Sequence, residues 1–390
     1  MNELTVFIEK IYHYEPAIYD IIYNNVFHIF KSNTELKMAV DVWCGAKTRI
    51  ETEQIYGHIS LWNTCAITDM QGLFMNRNFN ENINNWDVSK VVTMKDMFDK
   101  CYKFNQPLDN WDVGNVVNMD NMFDECVAFN QPLNNWNVGN VRNMSSMFDG
   151  CVEFNQPLNN WNVGKVTNIA WMFVGCVVFN QSLNDWDVGN VTNLERVFWD
   201  CSKFNQPLNK WDVSNVVTME SLFSGCSLFN QPLNNWNVEK VVNMRWMFSN
   251  CSKFNQLLNK WDVGNVVTMQ AMFDECGEYN ESLNNWDVRT VENMGSMFWN
   301  CYKFNQPLNN WNVSNVENMG IMFSGCSEFN QPLNNWNVEN VDNIGSMFWN
   351  CYKFNQDLNN WDVRNVVNME WVFKGCPNNQ TFEKMFNGSI

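Results

Sequence analysis

Along most of the chain, apolar residues return on a 25-residue period. In the unit Phe104 to Cys126, FNQPLDNWDVGNVVNMDNMFDEC, they are Phe104, Leu108, Trp111, Val113, Val116, Met119, Met122, Phe123 and Cys126. Trp111 and Val113 lie two apart, the alternation of a short strand with inward side chains. From Val116 the spacing becomes three, three, one and three, which predicts a tight helical or 3-10 return with one face inward. A strand and a return of this size cannot bury their apolar face alone, so successive units must stack and share a core. The predicted architecture is a repeat solenoid of short parallel strands and tight returns.

The register is strict. Trp86, Trp111, Trp136, Trp161, Trp186, Trp211, Trp236, Trp261, Trp286, Trp311, Trp336 and Trp361 are spaced by 25 residues, and twelve cysteines from Cys101 to Cys376 keep the same period. A worn coil begins near Ile59, where Trp62, Ile67, Met70, Leu73 and Phe74 hold equivalent offsets without the cysteine. At about 4.8 Å per coil, about thirteen coils would stack to roughly 60 Å. The expected core is typified by Trp111, Trp136, Trp161, Trp236, Phe123, Phe148, Cys126 and Cys151. Asn105 and its equivalents through Asn355 are unbroken, the pattern of an amide ladder between coils. Pro107, Pro132, Pro157, Pro207, Pro232, Pro307 and Pro332 share one slot, which should be a corner because proline cannot donate to a sheet.

Residues 1–58 are not repeats. Ser32 or Thr34 is placed to cap a helix with Leu36, Val40 and Trp43 on one face, and Glu51 to Tyr56 reads as helical. The division expected is a helical N-terminal cap at 1–58, the solenoid at 59–376 and a C-terminal cap at 377–390.

Composition narrows the chemistry. The 25 Lys and Arg against 42 Asp and Glu give a net charge of −17, which opposes binding to nucleic acid or an anionic membrane face. No apolar run is long enough to cross a membrane, and the N-terminus reads as neither signal peptide nor lipoprotein leader. The cysteines lack the spacing of a metal site and sit in an apolar frame, so packing is their expected role. Neighbouring coils would nonetheless bring them within disulfide range. His13, His28 and His58 lie outside the regular repeats, leaving no base for a nucleophile there. The row Asp87, Asp112, Asn137, Asn162 and Asp187 offers a carboxylate pair, but reads better as a solvated polar row. Asn190-Val-Thr and Asn312-Val-Ser match the glycan-acceptor pattern, as chance allows in so Asn-rich a chain. The expectations are no enzyme activity, no catalytic residue, no metal and no cofactor.

What varies between coils is more informative. Trp171, Trp246 and Trp371 occupy the slot before Met-Phe or Val-Phe, and Trp199, Trp299 and Trp349 the slot just after Phe. Tyr102, Tyr302 and Tyr352 share a third slot, each followed by Lys. Other coils place Asp, Ser, Lys or Gly at the two Trp slots, so these nine aromatics should face solvent as a candidate interaction surface.

The unit L-x-x-W-x-V…V-x-x-M-x-x-M-F-x-x-C-x-x-F, here Leu108, Trp111, Val113, Phe123 and Cys126, resembles a bacterial surface-protein repeat of 25 to 26 residues. That family was first noted in mycoplasmas and is of unknown function. It is similar to BspA-like leucine-rich repeats and is abundant in large DNA viruses of protists. The resemblance covers about residues 59–376. It implies a leucine-rich-repeat-like fold and an adhesion or scaffold role. The segment SNTELKMAVDVWC…YGHISLWNT resembles the leader of the viral group, which implies a virion or host-interaction component placed in the virion or host cytoplasm. The expected function is non-enzymatic protein–protein interaction or structural scaffolding with a protein partner. The alternative is a carbohydrate-binding adhesin or glycan-processing protein using the exposed Trp and Tyr.

Overall fold

The structure, a computed structural model, describes residues 28–45 and 49–377. The segment expected as a cap before residue 28, and the C-terminal cap past Pro377, lie outside the described residues. The chain divides into two compact units, Met1–Val166 and Thr167–Ile390. Each is a stack of 25-residue coils, and the boundary falls within the repeat array.

The coils are built from β-turns. In the coil of Trp111 the amides of Trp111, Val116, Met122, Asp124 and Cys126 each bond the carbonyl three residues back, at 2.9–3.2 Å. The apolar residues spaced by three (Leu108 and Trp111, Val113 and Val116, Met119 and Met122, Phe123 and Cys126) are therefore the two ends of successive turns, both facing inward. Asn121 (φ 54°) and Glu125 (φ 53°) are left-handed at the third position of the turns beginning at Met119 and Phe123, as a type II turn requires. This corrects the expected helical return: a 3-10 helix makes the same three-residue bonds but cannot pass through a left-handed residue. The second of these slots is accordingly rich in Gly and Asn, among them Gly150, Gly225, Gly325, Asn250 and Asn300.

Inter-coil pairing falls where the turns reverse. Met119, Asn121, Phe123 and Glu125 donate to Asn143, Ser145, Met147 and Asp149 of the next coil at 2.7–3.0 Å. Parallel contacts are isolated bridges, Thr93 with Asn118 and Asn118 with Asn143 in the first unit, and Asn193 with Thr218 onward to Asn368 in the second. The expected strand over Leu108–Val113 does not form, because the turn closing on Trp111 interrupts it. Proline is tolerated before that turn for a simple reason. The equivalent amides of Leu257 and Ser282 bond no backbone carbonyl either.

Three aromatic columns fill each core. Trp111 lies parallel to Trp136 at 6.3 Å, Phe98 to Phe123 at 5.5 Å and Phe104 to Phe129 at 5.9 Å. Trp211, Trp236, Trp261 and Trp286 continue the pattern in the second unit. The core indole N–H groups donate to a carbonyl of the preceding coil, Trp111 to Ile83 at 3.1 Å, and Trp136 to Leu108 and Trp236 to Leu208, both at 3.0 Å. Burying a ring this large without that bond would strand a polar group. The expected core residues Trp111, Trp136, Trp161, Trp236, Phe123, Phe148, Cys126 and Cys151 are all at most 4% exposed.

The asparagine ladder is directional. Asn105 Oδ1 accepts from the backbone of Asn130 and the side chain of Gln131; Asn205 Oδ1 accepts from Asn230 and Gln231 in the same way. Ahead of the coils, α1 (Asn33–Cys44) begins at Ser32, whose hydroxyl accepts from the Glu35 amide, and buries Leu36, Ala39, Val40 and Trp43. A second helix, α2 (Arg49–Tyr56), follows it, and Trp43 packs edge-on against Trp62 of the first coil at 5.7 Å.

Candidate interaction surface

Two groups with chemical potential are structural. The Asp or Asn after each repeat Trp closes an Asx turn: Asp112 Oδ1 accepts from the Gly114 amide at 3.0 Å and Asp262 Oδ1 from Gly264 at 3.0 Å. Hydrogen bonds from Ser214, Arg289 and Arg364 hold Asp212, Asp287 and Asp362 below the usual carboxylate range, Asp362 at about 2. A glycosidase acid needs the opposite shift. The twelve repeat cysteines are reduced and buried. Their thiols donate to the Phe carbonyl of the preceding coil, Cys126 to Phe98 at 3.1 Å and Cys251 to Phe223 at 3.0 Å. Burial pushes the thiols up, Cys101 to about 12, which suppresses the reactive thiolate. Among the described residues no group of His, Cys, Asp and Glu is placed to hold a metal ion, and no helix is long and apolar enough to cross a membrane.

The nine candidate aromatics do not behave alike. Tyr102, Tyr302 and Tyr352 are 52–61% exposed, Trp299 and Trp349 are 37% and 38%, and Trp371 is 60%. Trp171, Trp199 and Trp246 are only half-exposed, contrary to the expectation of a solvent-facing slot. The Arg196 guanidinium lies 4.2 Å from the Trp171 ring and 4.8 Å from that of Trp199, and Arg245 lies 3.8 Å over Trp246. Lys374 lies 4.9 Å over Trp371. Trp299 and Trp349 pair with no ring or cation among the described residues. The signal for the Arg196 clamp was present in the sequence, since Arg196 stands one 25-residue step from Trp171. Trp171, Trp246, Trp371 and Ile321 also hold a left-handed backbone at φ 55–64°, a conformation that costs a residue with a side chain about 1–2 kcal/mol.

Three further features were not anticipated. Asp99, Asp124 and Asp149, in successive coils, are desolvated. Burial, reinforced by neighbouring carboxylates, raises Asp124 to about 7 and Asp149 to about 6, and burial raises Asp99 as well. In the second unit, Gly295, Gly320 and Gly345 follow one another in a slot that elsewhere holds Lys95, Asp120, Glu220 or Arg245. None of the three needs a left-handed backbone. They floor a trench of about 270 Å³ with the Asn318 and Asn343 amides on one side and Ser296, Ile321 and Trp371 on the other. Beside the amide row, Glu292, Glu317 and Asp342 stack in successive coils and line a polar hollow of about 590 Å³.

Comparison with known proteins agrees with the repeat reading. A solved structure described as "Crystal structure of TLR13-ssRNA13 complex" is similar at 9% identity with a TM-score of 0.17, covering 72% of this chain and 62% of that one, a likeness too slight to argue from. No curated protein gives a significant match. The model of one family matches in overlapping stretches, residues 46–158, 107–207, 129–233, 192–300 and 269–386. Its copies cover the whole coil array, so the chain belongs to the family described as "Mycoplasma protein of unknown function, DUF285".

Proposed function

We propose that the protein acts without catalysis, as an interaction scaffold whose coils hold an aromatic surface toward a protein partner. One observation carries this reading. Trp299 and Trp349, with Tyr302 and Tyr352, stand exposed at slots that the intervening coil fills with Ser324 and Ser327, and neither indole ring is covered by another ring or a cation. Exposed Trp and Tyr anchor protein interfaces because they bring much contact area at small cost in side-chain entropy. The repeat does not need them there, since serine serves the same backbone. A leucine-rich-repeat-like mode of binding fits the stacked coils, and a virion or host-interaction setting is what the N-terminal resemblance implies.

The test compares wild type with Trp299→Ala/Trp349→Ala, both checked for an unchanged melting temperature. A single stoichiometric protein partner held by wild type and lost by the variant supports the reading. Glycan-array binding that is lost in the variant would instead establish the carbohydrate-binding alternative.

A further inference from the structure

We infer that residues 286–371 of the second unit form a docking surface for an extended basic segment of a partner protein, an inference that rests on the aromatic-surface reading above. The same chemistry is left unanswered at two places within these coils. Of the six candidate tryptophans, Trp171, Trp199, Trp246 and Trp371 each carry a cation from their own chain over the ring. Trp299 and Trp349 carry none. They are the tryptophan rings of this set still able to take a guanidinium or ammonium from outside.

The acids divide in the same way. Glu278 pairs with Lys303, Glu328 with Lys353, Asp287 with Arg289 and Asp362 with Arg364. Glu292, Glu317 and Asp342 pair with no cation among the described residues, although their backbones are hydrogen-bonded rung to rung, Glu317 N to Glu292 O at 2.8 Å and Asp342 N to Glu317 O at 2.9 Å. Like charges held on adjacent rungs repel. An incoming cation relieves that repulsion, and a neutral or acidic partner does not.

Along each coil the glycine stands between acid and tryptophan: Glu292, Gly295 and Trp299 in one, Asp342, Gly345 and Trp349 in another. Gly295, Gly320 and Gly345 yield the space a side chain would fill to the Asn318, Asn343 and Asn368 amides of the following coils, and those amides bond one another and the glycine backbone, so no long side chain stands in this slot between the acids and the tryptophans. The chain continues to the tryptophans through short turns: Trp299 N bonds Ser296 O at 3.0 Å and Trp349 N bonds Ser346 O at 3.1 Å. An extended basic peptide laid across these coils is thus offered a carboxylate row and two indole faces without a cation of their own.

The experiment uses the full chain and a fluorescein-labelled octapeptide of alternating Arg and Ser, read by fluorescence anisotropy. The counterpart probe has Gln for each Arg. Wild type should bind the basic peptide and not the neutral one, with affinity falling as salt rises. Glu292→Gln/Glu317→Gln/Asp342→Asn should weaken binding at least about tenfold, and Trp299→Ala/Trp349→Ala comparably. A control that removes the same charge from exposed acids elsewhere, Asp109→Asn/Glu153→Gln/Glu239→Gln, should change it less than about twofold. Equal weakening by the control would overturn the inference, because bulk charge would then explain the binding. Equal binding of the neutral probe, or no binding of the basic one, would overturn it as well. If the tryptophan pair alone mattered, the basic partner would be wrong and the aromatic surface would stand. If the carboxylate triple alone mattered, the aromatic surface itself would fail.

Discussion

In the first unit the residue after Phe98, Phe123 and Phe148 is aspartate in three successive coils. In the second unit the same slot runs through Val174, Trp199, Ser224, Ser249, Asp274, Trp299, Ser324, Trp349 and Lys374. The turns beneath are the same, so the contrast isolates what one side chain does on a fixed backbone. Burial in this slot raises the proton affinity of the three aspartates, and neighbouring carboxylates add to it. From Trp299 to Trp349, Ser324 between them leaves two separated exposed aromatic faces instead. The scaffold tolerates either choice because its stability comes from the columns underneath.

That last claim is the first to break. Trp236→Ala in the second unit and Trp136→Ala in the first should each cost about 3–5 kcal/mol, read as a fall in urea midpoint. Unequal losses would show that the two cores are not equivalent. A smaller effect is expected from the aspartate row. Its folded pKa values, about 7 for Asp124 and about 6 for Asp149, lie above the unfolded value near 3.9. Protonation therefore favours the folded chain: this contribution is complete below about pH 4 and is lost as pH rises through 6 to 7. Asp124→Asn/Asp149→Asn should stabilise the protein at pH 8 by on the order of 1–2 kcal/mol, allowing for solvent screening. The variant should also flatten the pH dependence. The slope remaining reports the other buried aspartates, Asp99, Asp200 and Asp274, which burial also raises, Asp274 to about 7.

Tyr279 offers a finer probe. It replaces Phe in a buried column, stacked on Phe254 and Phe304, and its hydroxyl has no hydrogen-bond partner. Tyr279→Phe should raise stability by about 1 kcal/mol, seen as a higher denaturant midpoint. The smallest change is expected at the surface: Trp299→Ala should shift stability by less than about 0.5 kcal/mol. A larger loss would make that ring part of the fold and weaken its assignment to binding.

The inward columns were legible because burial selects one residue type at one offset and the repeat multiplies the signal. The turns were not. A spacing of three belongs equally to a 3-10 helix and to a chain of β-turns, and only left-handed residues such as Asn121 and Glu125 separate them. The preference for Gly and Asn two residues after Phe was the clue. Exposure at the variable slots was legible for Trp299, Trp349 and the tyrosines. It misled at Trp171 and Trp199, because Arg196, from the coil after Trp171 and the same coil as Trp199, covers both. Aspartate after Phe reads as solvated, and nothing local to Asp124 says that two more carboxylates stack around it.

The repeated indole, thiol and glutamine bonds that lock coil to coil run backward: Trp136 to Leu108, Cys126 to Phe98 and Gln131 to Asn105. Every coil thus meets its predecessor through acceptors that any coil of the same motif presents. Within a unit, the 25-residue stretch is an interchangeable part. A gene duplication or deletion of that length leaves each seam chemically matched, so the array can lengthen or shorten in evolution without redesign. Natural selection is then free to shuffle which surface residues stand side by side.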